Sequence, residues 1–457
     1  MLRLLQPGLL GLLCLAYPAL ASKPAPLRQV GVARIDITPN YPIRLTGYAA
    51  RKTESTGIAQ PLFARALAVG SDREKPAVLI TVDNCGVPAS VRDEVAARLQ
   101  RDRRLDPARV AICSTHTHTG PWLRGFAPNI FGAPIPREQQ SCVDRYTGEL
   151  STALETVALQ ALADRRPARL FRGQGQAGFA ANRRTPGGPA DHDLPALFVL
   201  DPDGTLRAVF CSYACHCTTL GADFNQVCGD WAGYAAAAME RAHPGAVVLV
   251  ALGCAGDANP SPRPGLALAQ QHGQEIVNAL ERVLANQLTP VLGKLSCRFK
   301  AFDLPFDTLP TRAEWEARAR QSDVYVAGHA RLNLQRLDRG EKLPTQLPYR
   351  VQTWTFGDNL AMVFLAGEVV VDYSLRLKRE FDATRLWVNA YANDVPCYVP
   401  SERILKEGGY EGGGAMVFYD HPTRLAPGVE DRIVSAIHEL LPKEYCQHLP
   451  QGQHPTP

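Results

Sequence analysis

The sequence predicts an α/β protein: a mixed β-sheet core flanked by helices, in a single domain. Three observations predict it. Apolar runs of strand length alternate with longer stretches of helical period through most of the 457 residues, the order that builds layered α/β structures. No internal repeat breaks this order, and no linker rich in Pro, Gly or Ser marks a second domain. Polar residues able to do chemistry sit where the strand patterns stop, the place at which open α/β sheets hold their ligands.

The elements follow in chain order. After a Pro-containing linker, residues 29–37 alternate as a strand that stops at Thr38-Pro39. Residues 49–60 are polar and read as a loop, whereas 62–69 and 77–82 read as strands, the second ending on Asp83-Asn84. An amphipathic helix is predicted over 90–100, a strand over 109–114 and a long helix over 139–165, where Val143, Tyr146, Leu150, Leu154, Val157 and Ala161 recur at helical spacing. Asp201-Pro-Asp-Gly204 between two apolar runs signals a hairpin. Further on, 234–243 reads as helix, 246–252 as strand, 266–288 as helix, 293–305 as strand and 312–339 as an exposed, charged helix. A strand over 360–366 delivers Gly367-Glu368, and a helix then runs to Phe381.

A formal charge of +4 is small for this length and no Lys/Arg block stands out, so nothing points to nucleic acid. The N-terminus is more specific. Arg3, the apolar run 9–15 and Ala19-Leu20-Ala21 before Ser22 have the form of a cleaved signal peptide over residues 1–21, which predicts a soluble protein that is secreted or periplasmic. No later segment has the ~20 apolar residues of a membrane span. Removing Cys14 with the signal leaves 11 of 12 cysteines. That odd number implies an unpaired thiol, and one or two disulfides are expected among the rest. Cys211, Cys215, Cys217 and Cys228 surround His216, but C-x-C is too tight for a structural zinc knuckle.

The strongest chemical signal is His116-Thr-His118 at the end of the apolar run 110–112. In extended backbone, residues i and i+2 face the same way, so the two imidazoles share a side and can bind one metal or divide ligation from proton transfer. His216, Asp257, Glu368, Asp394 and Tyr398 also follow strand patterns. Two histidines from separate strands plus a carboxylate make the three-ligand shell of a catalytic zinc, which His116, His216 and Glu368 could supply. Singly, His216 also fits a satisfied core histidine, and Glu368 a carboxylate at a helix N-terminus.

Gly31-Val-Ala-Arg-Ile-Asp-Ile-Thr-Pro39, Leu45-Thr-Gly-Tyr48, Leu62-Phe-Ala-Arg-Ala66, Ser114-Thr-His-Thr-His-Thr-Gly-Pro121, Asn182-Arg183, Asp230-Trp-Ala-Gly-Tyr234 and Gly367-Glu368 together resemble the neutral, non-lysosomal ceramidase family. The likeness runs in order from about residue 30 to 410, and its most specific part is the Thr-His-Thr-His-x-Gly-Pro element. It implies a single catalytic domain over 22–445 with a polar tail over 446–457. It also implies a hydrolase with one Zn2+ per chain that cleaves the N-acyl amide bond of ceramide or a similar small amphipathic substrate. By the resemblance the ligands fall on His116, His216 and Glu368, while His118 and Arg183 match active-site positions as an oxyanion or leaving-group donor and an electrostatic clamp. A carboxylate such as Asp83, Asp257 or Asp394 would carry the proton to the amine.

Departures from the family pattern accompany the likeness. The family's fourth ligand is a tyrosine; the matching position is Asp394, with Tyr398 as the alternative. The family's catalytic serine is replaced by Asn259 in Gly256-Asp-Ala-Asn-Pro260, with Ser261 two residues on. The family's C-terminal β-sandwich is not expected here. Contact with a membrane surface, without a transmembrane segment, fits such a substrate. Two other functions stay open: an exported lipid- or glycan-binding protein on the same scaffold, and an H-x-H metallohydrolase of another substrate class.

Overall fold

The structure, a computed structural model, describes residues 25–286 and 288–447. The predicted signal peptide over 1–21 and the tail from 448 onward lie outside the described residues. The chain opens with β1 (Leu27–Asp36), β2 (Phe63–Val69), β3 (Ala77–Val82), α1 (Ala89–Arg103), β4 (Val110–Ser114) and α2 (Arg137–Ala163). Next come β5 (Arg166–Gln176), β6 (Ala180–Asn182), β7 (Asp193–Leu200), β8 (Leu206–Tyr213), α3 (Asp230–Ala242), β9 (Val247–Leu252), β10 (Ala258–Pro260) and α4 (Leu266–Asn286). The second half adds β11 (Thr289–Pro290), β12 (Leu295–Pro305), α5 (Arg312–Ala319), α6 (Val324–Asp338), β13 (Gln346–Phe356), β14 (Leu360–Leu365), β15 (Glu368–Val369), α7 (Val371–Glu380), β16 (Leu386–Asn389), β17 (Tyr398–Val399), α8 (Glu402–Glu407), α9 (Gly409–Gly412) and α10 (Val429–Leu440).

The larger sheet runs β4-β3-β2-β1-β5-β7-β8-β9, with β11 beside β5. Its edge pairs β3–β4 and β8–β9 are parallel and the pairs between them antiparallel, so the sheet is mixed as the sequence predicts. A second sheet runs β12-β13-β14-β16. Side-chain alternation explains how they stack. Val78, Ile80 and Val82 of β3 join the cluster that contains Val95, Leu154, Trp231 and Ile276 of the helices, whereas Ala77 and Leu79 join Trp354, Phe364 and Trp387 of the second sheet. The far face of that sheet, through Val351 and Val363, packs on Leu377 of α7 and Ile433 of α10. The layers are therefore helix, sheet, sheet, helix, and a strand buried on both faces reads as the continuous apolar run seen at 77–82.

The site is positioned where the two edges of the larger sheet approach each other. Thr117 and Cys217 form a parallel bridge, and the His118 N–H donates to the Cys217 carbonyl at 3.2 Å. The segment after β16 fills the gap: the Ala390 N–H donates to Leu252 O at the end of β9, and the Ser114 N–H of β4 to Tyr391 O. The loops after β4, β8, β9, β14 and β16 thus meet at one place.

Two expectations are corrected. The charged stretch 312–339 is two helices, because the Asp323 carboxylate accepts from the Tyr325 and Val326 N–H groups and starts α6 afresh. No cysteine is paired among the described residues, so the expected disulfides are not formed there. Cys211, Cys215, Cys217 and Cys228 are buried in apolar clusters and behave as small hydrophobes. Also among the described residues, no helix is long and apolar enough to cross a membrane.

Candidate functional site

His116 follows β4 with φ 55°, a left-handed turn that swings the imidazole off the strand. His216 follows β8, and Glu368 opens β15 just past β14, where the Glu368 N–H donates to Cys397 O at 2.9 Å. The Nε2 atoms of His116 and His216 each lie 3.1 Å from Glu368 Oε2. The Nδ1–H of His116 donates to Cys85 O and that of His216 to Ala255 O at 2.7 Å. Carbonyl acceptors on Nδ1 leave the Nε2 atoms facing the carboxylate, the orientation a metal ligand needs. Tyr419 Oη donates to Glu368 Oε1, fixing the outer oxygen. All three candidate ligands are buried, with their donor atoms within 4.8 Å of one another. Two imidazoles and a carboxylate, each oriented from behind, fit a divalent transition metal such as zinc.

Charge follows the same geometry. Burial opposes ionisation of Glu368, yet His116 and the bonds from both imidazoles hold its pKa well below the usual range; burial likewise opposes the charge on His116, but Cys85 and Glu368 raise it to about 10, so without a metal the two form an ion pair whose proton a metal would replace. Burial, then the Arg183 charge, pushes His216 down to about 4, and burial beside the other two imidazoles pushes His118 well down. His118 Nε2 lies 3.0 Å from His116 Nε2, so a neutral imidazole stands beside the three-residue cluster. Arg183, just past β6, is the hub on the other side. Its guanidinium donates to Glu411 Oε1 at 2.8 Å and Tyr398 Oη at 3.0 Å, and Nη1 lies 3.4 Å from both His216 Nε2 and Asn259 Oδ1.

Other predicted residues fall elsewhere. The Asp394 carboxylate accepts from the Ala89 N–H at 2.9 Å at the start of α1 and is not part of the cluster, whereas Tyr398 Oη lies 3.4 Å from His216 Nε2. Both oxygens of Asp257 are taken, by the Val371 N–H at 2.8 Å and Asn182 Nδ2 at 3.0 Å, so it ties β6 and β10 to the start of α7. Asp83 is buried against Arg65 at 2.9 Å and accepts from the Phe63 N–H. None of these three carboxylates faces the ligand cluster. Ser261 follows β10 on the exposed side.

Sequence reasoning missed Cys85, Tyr391, Tyr410, Glu411 and Tyr419. Cys85 Sγ approaches His116 Nδ1 at 3.6 Å, and the Tyr391 ring packs on His116 with 4.4 Å between centroids while its hydroxyl is buried without a protein partner. The tyrosines lie in stretches with no helix or strand period, and only their density there could have signalled a site. A cavity of about 50 Å3 opens over His116, His118 and Glu368, walled by Phe126, Ile130, Tyr410 and Phe418. Two wider clefts of about 830 Å3 lie at the opposite end of the strands, lined by charged groups such as Lys75, Arg103 and Lys294. They hold none of the predicted site residues and neither a histidine nor a cysteine.

Fold and site together define a layered α/β protein with a His-His-carboxylate centre at the strand ends of a mixed sheet. The family described as neutral/alkaline non-lysosomal ceramidase, N-terminal, matches residues 29–301, and the chain belongs to that family. Neutral ceramidases of Drosophila melanogaster and Drosophila pseudoobscura pseudoobscura are each 28% identical to it over 259 residues, 51% of this chain and 36% of theirs. The match thus spans about a third of the length of these relatives. The crystal structure of neutral ceramidase from Pseudomonas aeruginosa superposes with a TM-score of 0.71 at 21% identity, covering 94% of this chain and 77% of that one. A ceramidase complexed with C2 gives 0.70 at 19% identity, covering 93% of this chain and 77% of its own. At these identities the structural likeness shows the fold.

Proposed function

We propose that this protein is an exported, zinc-dependent amidase that hydrolyses the N-acyl amide bond of ceramide or a ceramide-like lipid. The observation that carries the proposal is the convergence of His116 Nε2 and His216 Nε2 on Glu368 Oε2, each imidazole fixed from behind by a backbone carbonyl. Family membership supports the substrate class, and the 1–21 segment supports export. When bound by His116, His216, Glu368 and Tyr398, zinc supplies Lewis-acid polarisation of a carbonyl and activation of water at neutral pH.

The chain's own groups do the rest. Neutral His118 presents a ring nitrogen beside the cluster, able to donate to a developing oxyanion or to the departing amine. Arg183 holds the Tyr398 hydroxyl against His216 and places positive charge where negative charge develops. Phe126, Ile130 and Phe418 keep the cavity apolar, which excludes bulk water and strengthens each polar contact inside. At about 50 Å3 the cavity takes the reacting amide and a few further atoms, so long alkyl chains extend past Tyr410, which is 46% exposed.

The test is release of free amine from an N-acylsphingosine by zinc-loaded protein. His118→Ala should keep the metal and lose about 100-fold in rate, whereas His116→Ala should lose both metal and rate. Equal metal loss in the two variants would contradict this division of roles.

A further inference from the structure

We infer that the turn over residues 47–51 is the mount that aims His118 at the ligand cluster, with Arg51 as the positioning residue. This rests on the amidase function proposed above, in which His118 is the donor. His118 needs a mount because no hydrogen bond holds its ring from behind. His116 and His216 each have an Nδ1 bonded to a backbone carbonyl, whereas Nδ1 of His118 is buried with no protein partner. The direction of its Nε2, 3.0 Å from His116 Nε2, is therefore set by what the ring and its backbone rest on.

The motif Leu45-Thr-Gly-Tyr48 supplies that support residue by residue. Leu45 bridges Pro121, and the Thr46 N–H donates to Gly120 O at 3.1 Å, which lays this segment along the stretch that follows His118. Gly47 has φ 88°, and a Cβ on it would stand inside the His118 imidazole, so the ring lies directly on the Gly47 backbone. The Tyr48 ring meets the imidazole edge to face with 4.9 Å between centroids, and its hydroxyl donates to Leu220 O at 2.7 Å.

Arg51 closes the turn. Its guanidinium lies over the Tyr48 ring at 4.8 Å and donates to His118 O, to Thr46 O and Phe224 O at 2.9 Å each, to Ala222 O at 3.3 Å and to Gly221 O at 3.4 Å. It is 4% exposed, and none of these partners is a carboxylate. Burial without a counter-charge is costly, and it pushes the Arg51 pKa down to about 10, which still leaves a cation at neutral pH. A planar fork of five N–H donors can join three chain segments at once, as a compact ammonium cannot. The His118 N–H is tied to Cys217 O at 3.2 Å, so with Arg51 in place both main-chain polar groups of His118 are fixed and the ring is held against Gly47. Misplacing a reacting group by about 1 Å costs on the order of 100-fold in rate, and the His116, His216 and Glu368 cluster does not depend on this turn.

The experiment uses the full zinc-loaded chain with an N-acylsphingosine. Arg51→Met and Arg51→Lys are compared with wild type for kcat, KM, zinc content and melting temperature. Arg207→Met is the control, since Arg207 is 2% exposed and likewise donates to the carbonyls of Val30, Arg166 and Pro167, but at the far end of β8 from His216. Arg51→Met should lose about 100-fold in kcat with zinc retained and KM changed less than about threefold. Arg51→Lys keeps the charge but reaches fewer carbonyls, so it should recover part of the rate and stay about 10-fold below wild type. Arg207→Met should lower the melting temperature and leave kcat within about twofold of wild type. Wild-type kcat in Arg51→Met overturns the inference, as does loss of its zinc or an equal fall of kcat in Arg207→Met; all three leave the amidase function standing. A wild type that releases no amine from any N-acyl amide overturns that function and this inference with it. If Arg51→Met does not fold, Arg51→Lys decides in its place: reduced kcat with zinc retained supports the inference, and wild-type kcat overturns it.

Discussion

Asp394 and Tyr398 lie four residues apart in one stretch without helix or strand period, and sequence alone could not choose between them. Strand pairing separates their positions: β17 begins at Tyr398 and pairs in parallel with β15 at Glu368, which sets tyrosine and glutamate side by side. Asp394 instead caps α1, and burial raises its pKa to about 6, partly offset by Arg350 and the Ala89 N–H. The pH dependence follows from the sign. Below about pH 4 the carboxyl is protonated in both the folded and unfolded chain and costs nothing; as pH rises to 6 the unfolded chain ionises first, and stability is lost. Asp394→Asn should therefore melt with wild type near pH 4 and above it at pH 7–8, by on the order of 1–2 kcal/mol once partial solvent access is allowed for, with zinc content unchanged. Loss of zinc in this variant would make Asp394 a ligand after all. The histidines were legible because H-x-H at a strand end is a short, local pattern. Tyr391 and Tyr419 were not, because their contacts with His116 and Glu368 are made across the fold.

At the scale of elements, the three-residue strands β6 and β10 do more for the site than their length suggests. Their pairing brings Arg183, Asp257 and Asn259 together, the Arg183 N–H donating to Asp257 O at 2.8 Å. Strands this short leave no periodic signal, so the ribbon was invisible in the sequence while β3, β4, β9 and β14 were plain. The Gly-rich segment carrying α9 closes over the ribbon. Glu411, 4% exposed, accepts from Arg183 at 2.8 Å and from Arg184 at 2.7 Å, and Tyr410 beside it walls the cavity. Removing the carboxylate leaves a buried guanidinium without its main counter-charge. Glu411→Ala should destabilise the fold by about 3–5 kcal/mol and lower kcat with zinc retained, measured by denaturant unfolding beside steady-state kinetics. A variant with wild-type stability and rate would show that the segment does not hold Arg183 in place. The second sheet was only half legible. β14 was predicted, but β13 was not, although Leu347, Tyr349 and Val351 alternate within it.

For the whole molecule, the centre depends on two sheets meeting, since the larger sheet brings the histidines and the smaller one leads into Glu368 after β14 and Tyr391 after β16. Trp354 of β13, 2% exposed and 5.6 Å from Phe364 between ring centroids, is a main filler between the layers. Trp354→Ala should cost about 3–5 kcal/mol, and bound zinc should recover part of this because it binds only the folded chain. Calorimetry with and without zinc checks both; a melting temperature indifferent to zinc would show that the two sheets do not share a ligand. Strand and helix alternation made the class legible, but not the pairing of sheet edges, which is fixed by contacts such as Ser114 to Tyr391 and Ala390 to Leu252 far apart in sequence. The most direct test of the metal centre is elemental analysis of the extensively dialysed protein, wild type beside Glu368→Ala. About one zinc per chain in the wild type, lost in the variant, is the predicted result. A wild type that holds no metal and gains no activity on adding zinc, or a variant that keeps its zinc, would contradict it.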